Sequence, residues 1–381
     1  MSIMTSSHFP PTQEQLLVSG MEHLFANFGD RSYPIFLGKN IIVQAGELIR
    51  GFTGIQKKIL IISQSNIWKY YGEELTCSLL EAGYSVNHFL LSITENSKNQ
   101  KTVEQIYNAC VEYKIDKSSG MIALGGGVLQ DICNYAAATY LRGIPFVQIP
   151  TTLLAQADIG IGGCAIDHPA GKSLIGQFYQ PCLAMIDVKT LESLPESEIR
   201  NGIAEIINKH ICLGGNDIQA FQNELAGIFS GDPELRVQYI LSSIAVKLNI
   251  IQKDETGIKE HRFLLDWGHT ITMALERVMN YNISHGQALG VGMHGAAILS
   301  AQTGYLETHK VESLRQLIIA TGLPSKLPED ITNESLLRFM AMDQKLKAGC
   351  KRFVLLKDFG NAFISDVITD QQIISCLDAL R

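Results

Sequence analysis

Apolar positions follow two regimes along the chain. From about Ser32 to Pro195, short continuous apolar runs alternate with amphipathic stretches. Lys58-Ile59-Leu60-Ile61-Ile62-Ser63 predicts a buried strand, and Trp68 to Gly83 predicts the helix after it. Val86 to Leu91 predicts a second strand, Thr102 to Tyr113 a helix, Gly120-Met121-Ile122-Ala123-Leu124 a third strand and Ile144 to Ile149 a fourth. Strands that are apolar on both faces and separated by helices imply a parallel sheet covered on both sides. Ligands of such sheets bind beyond the carboxyl ends of the strands. After Pro195 the β-branched runs thin out. Helical spacing then predicts helices over Ser197 to Leu213, Pro233 to Gln252, His269 to Met279, Gln287 to Thr303 and Glu312 to Thr321.

The expected fold is therefore an α/β N-terminal domain over 32–195 with a parallel, Rossmann-like sheet. A mainly α-helical, metal-binding C-terminal domain is expected over 196–381. Residues 1–31 read as an N-terminal extension; Gln13 to Phe28 has helical spacing, but a surface segment with no role in chemistry is the better reading.

Composition narrows the function class. At 381 residues the chain is too long for one core and suits two domains sharing a cleft. Its 31 basic and 38 acidic residues give a net charge of -7 with no basic run or patch, which argues against nucleic acid as a partner. The 8 cysteines are scattered, with no CxxC pair, as expected of reduced thiols in a cytoplasmic protein. Met1 to Pro11 shows no basic residue followed by an apolar run, so no signal peptide is expected. No apolar segment reaches the roughly 18 residues of a membrane span.

Two clusters carry candidate chemistry. His269 lies in Asp266-Trp267-Gly268-His269-Thr270 and His285 in Ser284-His285-Gly286-Gln287-Ala288, with Glu205 upstream in an apolar helix. Two imidazoles and one carboxylate are a ligand set of catalytic zinc with an open position. Separately, Gly125-Gly126-Gly127-Val128-Leu129-Gln130-Asp131 follows a strand and opens a helix. There, free amides can meet a pyrophosphate, although triple glycines also serve purely structural turns. Pro150-Thr151-Thr152 supplies hydroxyls at the end of the next strand. A metal beside a nicotinamide points to hydride chemistry on an alcohol.

The chain from about Ser32 onward resembles the 3-dehydroquinate synthases, members of the sugar phosphate cyclase superfamily. The likeness rests on Gly125-Gly126-Gly127…Asp131, Ala138-Thr139-Tyr140-Leu141-Arg142-Gly143, and the run from Pro150 to Asp158. His168-Pro169-Ala170-Gly171-Lys172, Gly176-Gln177-Phe178-Tyr179-Gln180-Pro181, Gly268-His269-Thr270 and His285-Gly286 extend it. The resemblance implies zinc, or cobalt in its place, on Glu205, His269 and His285. It implies NAD contacts from Glu95, Lys98, Gly126, Gly127, Asp131, Thr151, Thr152, Asp158, Lys172, Thr190 and Ser193. The implied reaction converts a seven-carbon sugar phosphate to a carbocycle by transient oxidation, phosphate elimination, re-reduction and intramolecular aldol closure, with NAD recycled. A homodimer is also implied, with Arg142 reaching the neighbouring subunit's site.

Several positions depart from the family pattern. Cys164 stands for a lysine, Ser173 for an asparagine, Asn208 for a lysine, Asp266 for an asparagine, Met273 for a histidine, and Gln344 for the first lysine of Asp-Lys-Lys. Most of these positions surround the phosphate or the substrate hydroxyls, where charge-assisted donors matter most. Lys209, Lys172, Lys345 and Arg142 are the cations left to compensate. The carboxylate-binding pair is retained as Lys247 and Arg262, whereas Asp266 favours hydroxyl recognition. The leading expectation is an NAD- and zinc-dependent cyclase diverged from the housekeeping enzyme. Two alternatives stand: a metal- and NAD-dependent polyol or alcohol dehydrogenase of the glycerol dehydrogenase type, or a catalytically silent homologue.

Overall fold

The computed structural model describes residues 20–169, 171–214, 218–341 and 351–381. The chain divides into two compact units, one through Ser193 and one from Leu194. In the first unit the strands are β1 (Glu22–Ala26), β2 (Tyr33–Gly38), β3 (Lys58–Ser63), β4 (Ser85–Leu90) and β5 (Gly120–Gly125). They continue with β6 (Phe146–Pro150), β7 (Cys164–His168), β8 (Gly171–Gln177) and β9 (Leu183–Asp187). Its helices are α1 (Ala45–Phe52), α2 (Ser65–Glu81), α3 (Gln100–Glu112), α4 (Gly127–Thr139) and α5 (Leu153–Ala157).

Seven strands form one sheet in the order β1-β2-β9-β6-β5-β3-β4. Every pairing is parallel except β1 with β2. Alternation along the strands builds two cores. Ile59, Ile61, Ile122, Leu124, Val147 and Ile149 pack on the side of α1 and α2, where Leu48, Ile49, Leu75 and Leu79 meet them. Leu60, Ile62, Met121, Ala123 and Phe146 face the side of α3 and α4, with Val103, Ile106, Leu129 and Ile132. Because β3, β5 and β6 are buried on both faces, their apolar runs are continuous, which is why the sequence revealed them.

Within residues 1–31, the helical spacing that runs to Phe28 does not give a helix from Glu22 onward. Glu22–Ala26 is a strand, paired antiparallel from Glu22 with Leu37 to Ala26 with Tyr33. The physical reason lies in β2, whose six residues are all buried and would otherwise present an open sheet edge. Gln13 to Ser19 lie outside the described residues. The β7–β8 hairpin was also not anticipated; its Ile166 and Ile175 pack onto the α4 side of the sheet.

In the second unit the helices are α6 (Glu196–Lys209), α7 (Ile218–Ser230), α8 (Pro233–Ile251), α9 (His269–Val278) and α10 (His285–Gln302). They are followed by α11 (Thr308–Ala320), α12 (Asn333–Met340) and α13 (Asp370–Ala379), with a hairpin of β10 (Phe353–Asp358) and β11 (Asn361–Ser365). A single π-helical turn, His210–Gly214, extends α6. No helix among the described residues is long and apolar enough to cross a membrane.

Helix α10 is the hub of this unit. It is buried on all sides, and a glycine stands at each close approach. A Cβ on Gly286 would lie 2.6 Å from the Asn201 backbone on α6, and one on Gly290 would lie 2.6 Å from the Pro324 carbonyl. A Cβ on Gly292 would lie 2.5 Å from the Gly268 carbonyl before α9, and one on Gly295 would lie 2.5 Å from Ile271. Gly292→Ala is therefore expected to destabilise the protein by about 1–3 kcal/mol through overpacking. Chemical denaturation would check this; an unchanged midpoint would show that α9 and α10 do not interlock as described.

Candidate functional sites

Each donor of the Glu–His–His cluster is placed by a local device. Glu205 sits inside α6 among Ile203, Ala204, Ile206 and Ile207, all of them buried, and is itself only 2% exposed. His269 is the first residue of α9. The preceding Gly268 has φ +80, and a Cβ there would lie 2.8 Å from the Met293 amide, so both conformation and space select glycine. His285 is the first residue of α10, which starts with a reciprocal capping box between Ser284 and Gln287. The Gly286 amide donates to Asn201 Oδ1, tying this helix start to α6.

The three side chains converge. His285 Nε2 lies 3.0 Å from Glu205 Oε1 and His269 Nε2 lies 3.4 Å from the same oxygen. All the donor atoms fall within 4.8 Å of one another, compatible with tetrahedral edges of about 3.3 Å from bonds of 2.0–2.1 Å. Behind them, His285 Nδ1 lies 3.0 Å from Glu276 Oε1, and His269 Nδ1 lies 3.2 Å from the Trp267 carbonyl. Asn208 Nδ2 donates to that same carbonyl at 2.6 Å. Carboxylate and carbonyl partners of this kind fix ring orientation in metal sites.

The electrostatics favour a cation here. Burial alone would raise the Glu205 pKa, but the Lys209 ammonium and the hydrogen bonds from His269 and His285 outweigh it and hold the carboxyl well below its usual range. Desolvation would lower His285, yet its bonds to Glu205 and Glu276 push it up to about 10. An imidazole between two carboxylates demands positive charge, which a proton or a metal ion can supply. The donor set therefore fits a metal.

In the first unit, the carboxyl ends of β5 and β6 lie side by side, with Gly125 paired to Pro150. Gly126 precedes α4, whose first turn leaves amides without helical partners. A Cβ on Gly126 would touch Thr152 Cγ2 at 3.3 Å, while one on Gly127 would meet nothing closer than Ala155 at 3.9 Å. Thr152 caps α5 by accepting from the Ala155 amide at 3.2 Å. Thr151 Oγ1 is buried with no hydrogen-bond partner among the described residues. A bare amide turn beside an orphaned hydroxyl fits a nucleotide pyrophosphate.

Lys98 Nζ pairs with Asp131 Oδ2 at 2.5 Å, and the Lys98 carbonyl accepts from the Asp167 amide at 2.7 Å. That ties the turn Glu95–Ser97, which opens with Glu95, to the β7–β8 hairpin carrying Lys172. Asp158 closes α5, its amide donating to Leu154. The hydroxyls of Thr190 and Ser193 serve the turn itself: Thr190 Oγ1 donates to the Asp187 carbonyl at 2.7 Å, and Ser193 Oγ bonds Tyr71 at 2.7 Å. Arg142 is exposed, within three successive left-handed residues, Leu141 (φ 50), Arg142 (φ 63) and Gly143 (φ 112).

In the second unit, Lys247 is buried on α8. Arg262 Nη1 donates to the Glu255 carbonyl at 3.0 Å, and Asp266 ends the half-buried turn His261–Asp266. Lys345 lies outside the described residues. Lys209, one of the cations left to compensate in the phosphate pocket, places its ammonium 2.7 Å from Glu205 Oε2, with both side chains buried. Sequence reasoning missed Glu276. The available signal was its spacing of seven from His269, two turns along the same helix face.

A sheet unit followed by a helical unit with a Glu–His–His cluster defines the dehydroquinate synthase-like fold. Among solved structures, the 2-epi-5-epi-valiolone synthase ValA of Streptomyces hygroscopicus subsp. jinggangensis, with NAD+ and Zn2+ bound, has a TM-score of 0.82 at 23% identity. That alignment covers 91% of this chain and 96% of ValA. A 2-deoxy-scyllo-inosose synthase complexed with carbaglucose-6-phosphate, NAD+ and Co2+ has a TM-score of 0.83 at 21% identity, covering 94% of this chain and 100% of that one. The 3-dehydroquinate synthase N-terminal and C-terminal profiles match residues 88–201 and 202–346. A 3-dehydroquinate synthase of Acaryochloris marina is 38% identical over 362 residues, which is 91% of this chain and 95% of that protein. The chain belongs to the 3-dehydroquinate synthase family, carbon–oxygen lyases that eliminate phosphate within the wider group of sugar phosphate cyclases.

Cys164 is buried on β7, and burial pushes its thiol up to about 12. At pH 8 about one thiol in ten thousand would be ionised. Native-state alkylation followed by peptide mass spectrometry is expected to label the exposed Cys77 and to spare Cys164 until the protein is unfolded. Rapid native labelling of Cys164 would contradict its placement.

Proposed function

We propose that the protein is an NAD- and zinc-dependent sugar phosphate cyclase that converts a seven-carbon sugar phosphate to a carbocycle. The observation that carries this reading is the convergence of Glu205, His269 and His285 on one point, with Glu276 behind His285, in a chain of this family. Zinc, or cobalt, held by these three residues would supply Lewis-acid polarisation of a substrate oxygen, and NAD would supply a reversible hydride acceptor.

The chain's own residues divide the remaining work. Glu276 fixes the orientation of His285 and leaves Nε2 facing the metal position; the Trp267 carbonyl does the same for His269. The amides at the start of α4, with Thr151 and Thr152, receive the pyrophosphate. Lys98 and Asp131 form the polar pair beside that turn. Lys247 and Arg262 are assigned to a substrate carboxylate, Asp266 to substrate hydroxyls, and Lys172, Lys345 and Arg142 to the phosphate. The substrate would be oxidised at one hydroxyl, which acidifies the neighbouring C–H; phosphate would then leave with the loss of that proton, the carbonyl would be reduced again, the sugar ring would open, and an aldol closure would form the carbocycle. We place this activity in the cytoplasm, in a homodimer.

The deciding experiment follows inorganic phosphate and NADH together as purified protein, NAD and zinc meet an acidic or a neutral seven-carbon sugar phosphate. Phosphate release without NADH accumulation is expected, and the responding substrate decides between Arg262 and Asp266 in recognition. NADH accumulation without phosphate release would sink the cyclase reading in favour of a dehydrogenase. Glu276→Gln is expected to weaken zinc binding about 10–100-fold by removing the charge behind His285, read by competition with a chromophoric chelator. Unchanged affinity would remove Glu276 from the site.

A further inference from the structure

The Glu205 carboxylate is shared in a specific way. Its Oε1 faces the two imidazoles at 3.0 and 3.4 Å, whereas its Oε2 is held by Lys209 Nζ at 2.7 Å. Lys209 lies four residues on, one helical turn along α6, so it stands over the same face as Glu205. Side-chain exposure is 4% for Lys209 and 3% for Glu205, so water does not screen the pair. The neighbouring Asn208 is turned elsewhere, onto the Trp267 carbonyl.

We propose that Lys209 is a built-in counter-cation at the metal site, competing with the metal for the charge of Glu205. It reserves one carboxylate oxygen, leaves the other as a single donor, and keeps the metal-free protein folded at the cost of metal affinity. The inference rests on the metal assignment made above. Its logic is electrostatic. A buried carboxylate stripped of every cation is strongly unfavourable, so a permanent ammonium stabilises the protein whether or not metal is bound. The same ammonium repels an incoming dication across a short, poorly screened distance. Lys209 is thus a positioning residue: it acts on Glu205 and on the strength of metal binding.

The test uses the full chain, stripped with a chelator and reloaded with zinc, as wild type, Lys209→Met and Lys209→Arg. Two readouts are followed: zinc affinity by chelator competition, and thermal midpoints with and without zinc. Lys209→Met is expected to bind zinc about tenfold more tightly or better, to melt earlier without zinc, and to show a larger zinc-induced rise in midpoint than wild type. Lys209→Arg keeps the charge and is expected to stay near wild-type affinity. Should Lys209→Met not fold, Lys209→Gln, which keeps a donor and drops the charge, carries the same expectation. Equal or weaker zinc binding by the folded uncharged variant overturns the role of Lys209. Absence of zinc binding by wild type overturns the metal assignment itself, and this inference with it.

Discussion

A carboxylate enclosed in an apolar helix must be matched by positive charge or it takes up a proton. Glu205 imposes that condition on the second unit. Lys209 meets it from one turn further along α6, and the imidazoles of His269 and His285 meet it from the first residues of α9 and α10. Those two positions are usable only because Gly268 and Gly286 let α9 and α10 begin against their neighbours without a Cβ in the way. Helix packing and site chemistry are one constraint here: three helices must cross closely enough for three donor atoms to share a point.

Much of this was legible in the sequence. The doubly buried strands β3, β5 and β6 announced themselves as continuous apolar runs, and the long helices α8, α9 and α10 as periodic ones. The metal donors were readable because His269 and His285 sit in glycine-marked turns and Glu205 interrupts an apolar helix. What escaped were features fixed by pairing across the chain. β1 is mostly half-buried and gains its strand conformation from the open edge of β2, so its local periodicity misled. The β7–β8 hairpin is exposed over much of its length and carries little periodic signal. Glu276 and the true partner of Lys209 depend on side-chain direction, which spacing narrows without deciding.

The departures from the family pattern also look different once placed. Cys164 is a buried, protonated thiol, so its position contributes volume and no charge. Ser173 is exposed and left-handed (φ 54), its amide held by Asp167 at 2.7 Å, so it shapes the hairpin turn. Asn208 donates to the Trp267 carbonyl at 2.6 Å, and Lys209 beside it is paired with Glu205.

The glycine spacing along α10 carries one more implication. A helix that touches its neighbours through backbone at Gly286, Gly290, Gly292 and Gly295 has no slack for sliding or turning, because each contact blocks the movement another would need. Such a helix acts as a fixed axle, and single substitutions along it meet resistance from several directions at once. The β7–β8 hairpin, by contrast, is exposed over much of its length, although a Cβ on Gly176 would lie 2.6 Å from the Cys164 carbonyl. The two parts of the chain thereby have unequal freedom to change, and the start of α10 that carries His285 belongs to the stiffer one.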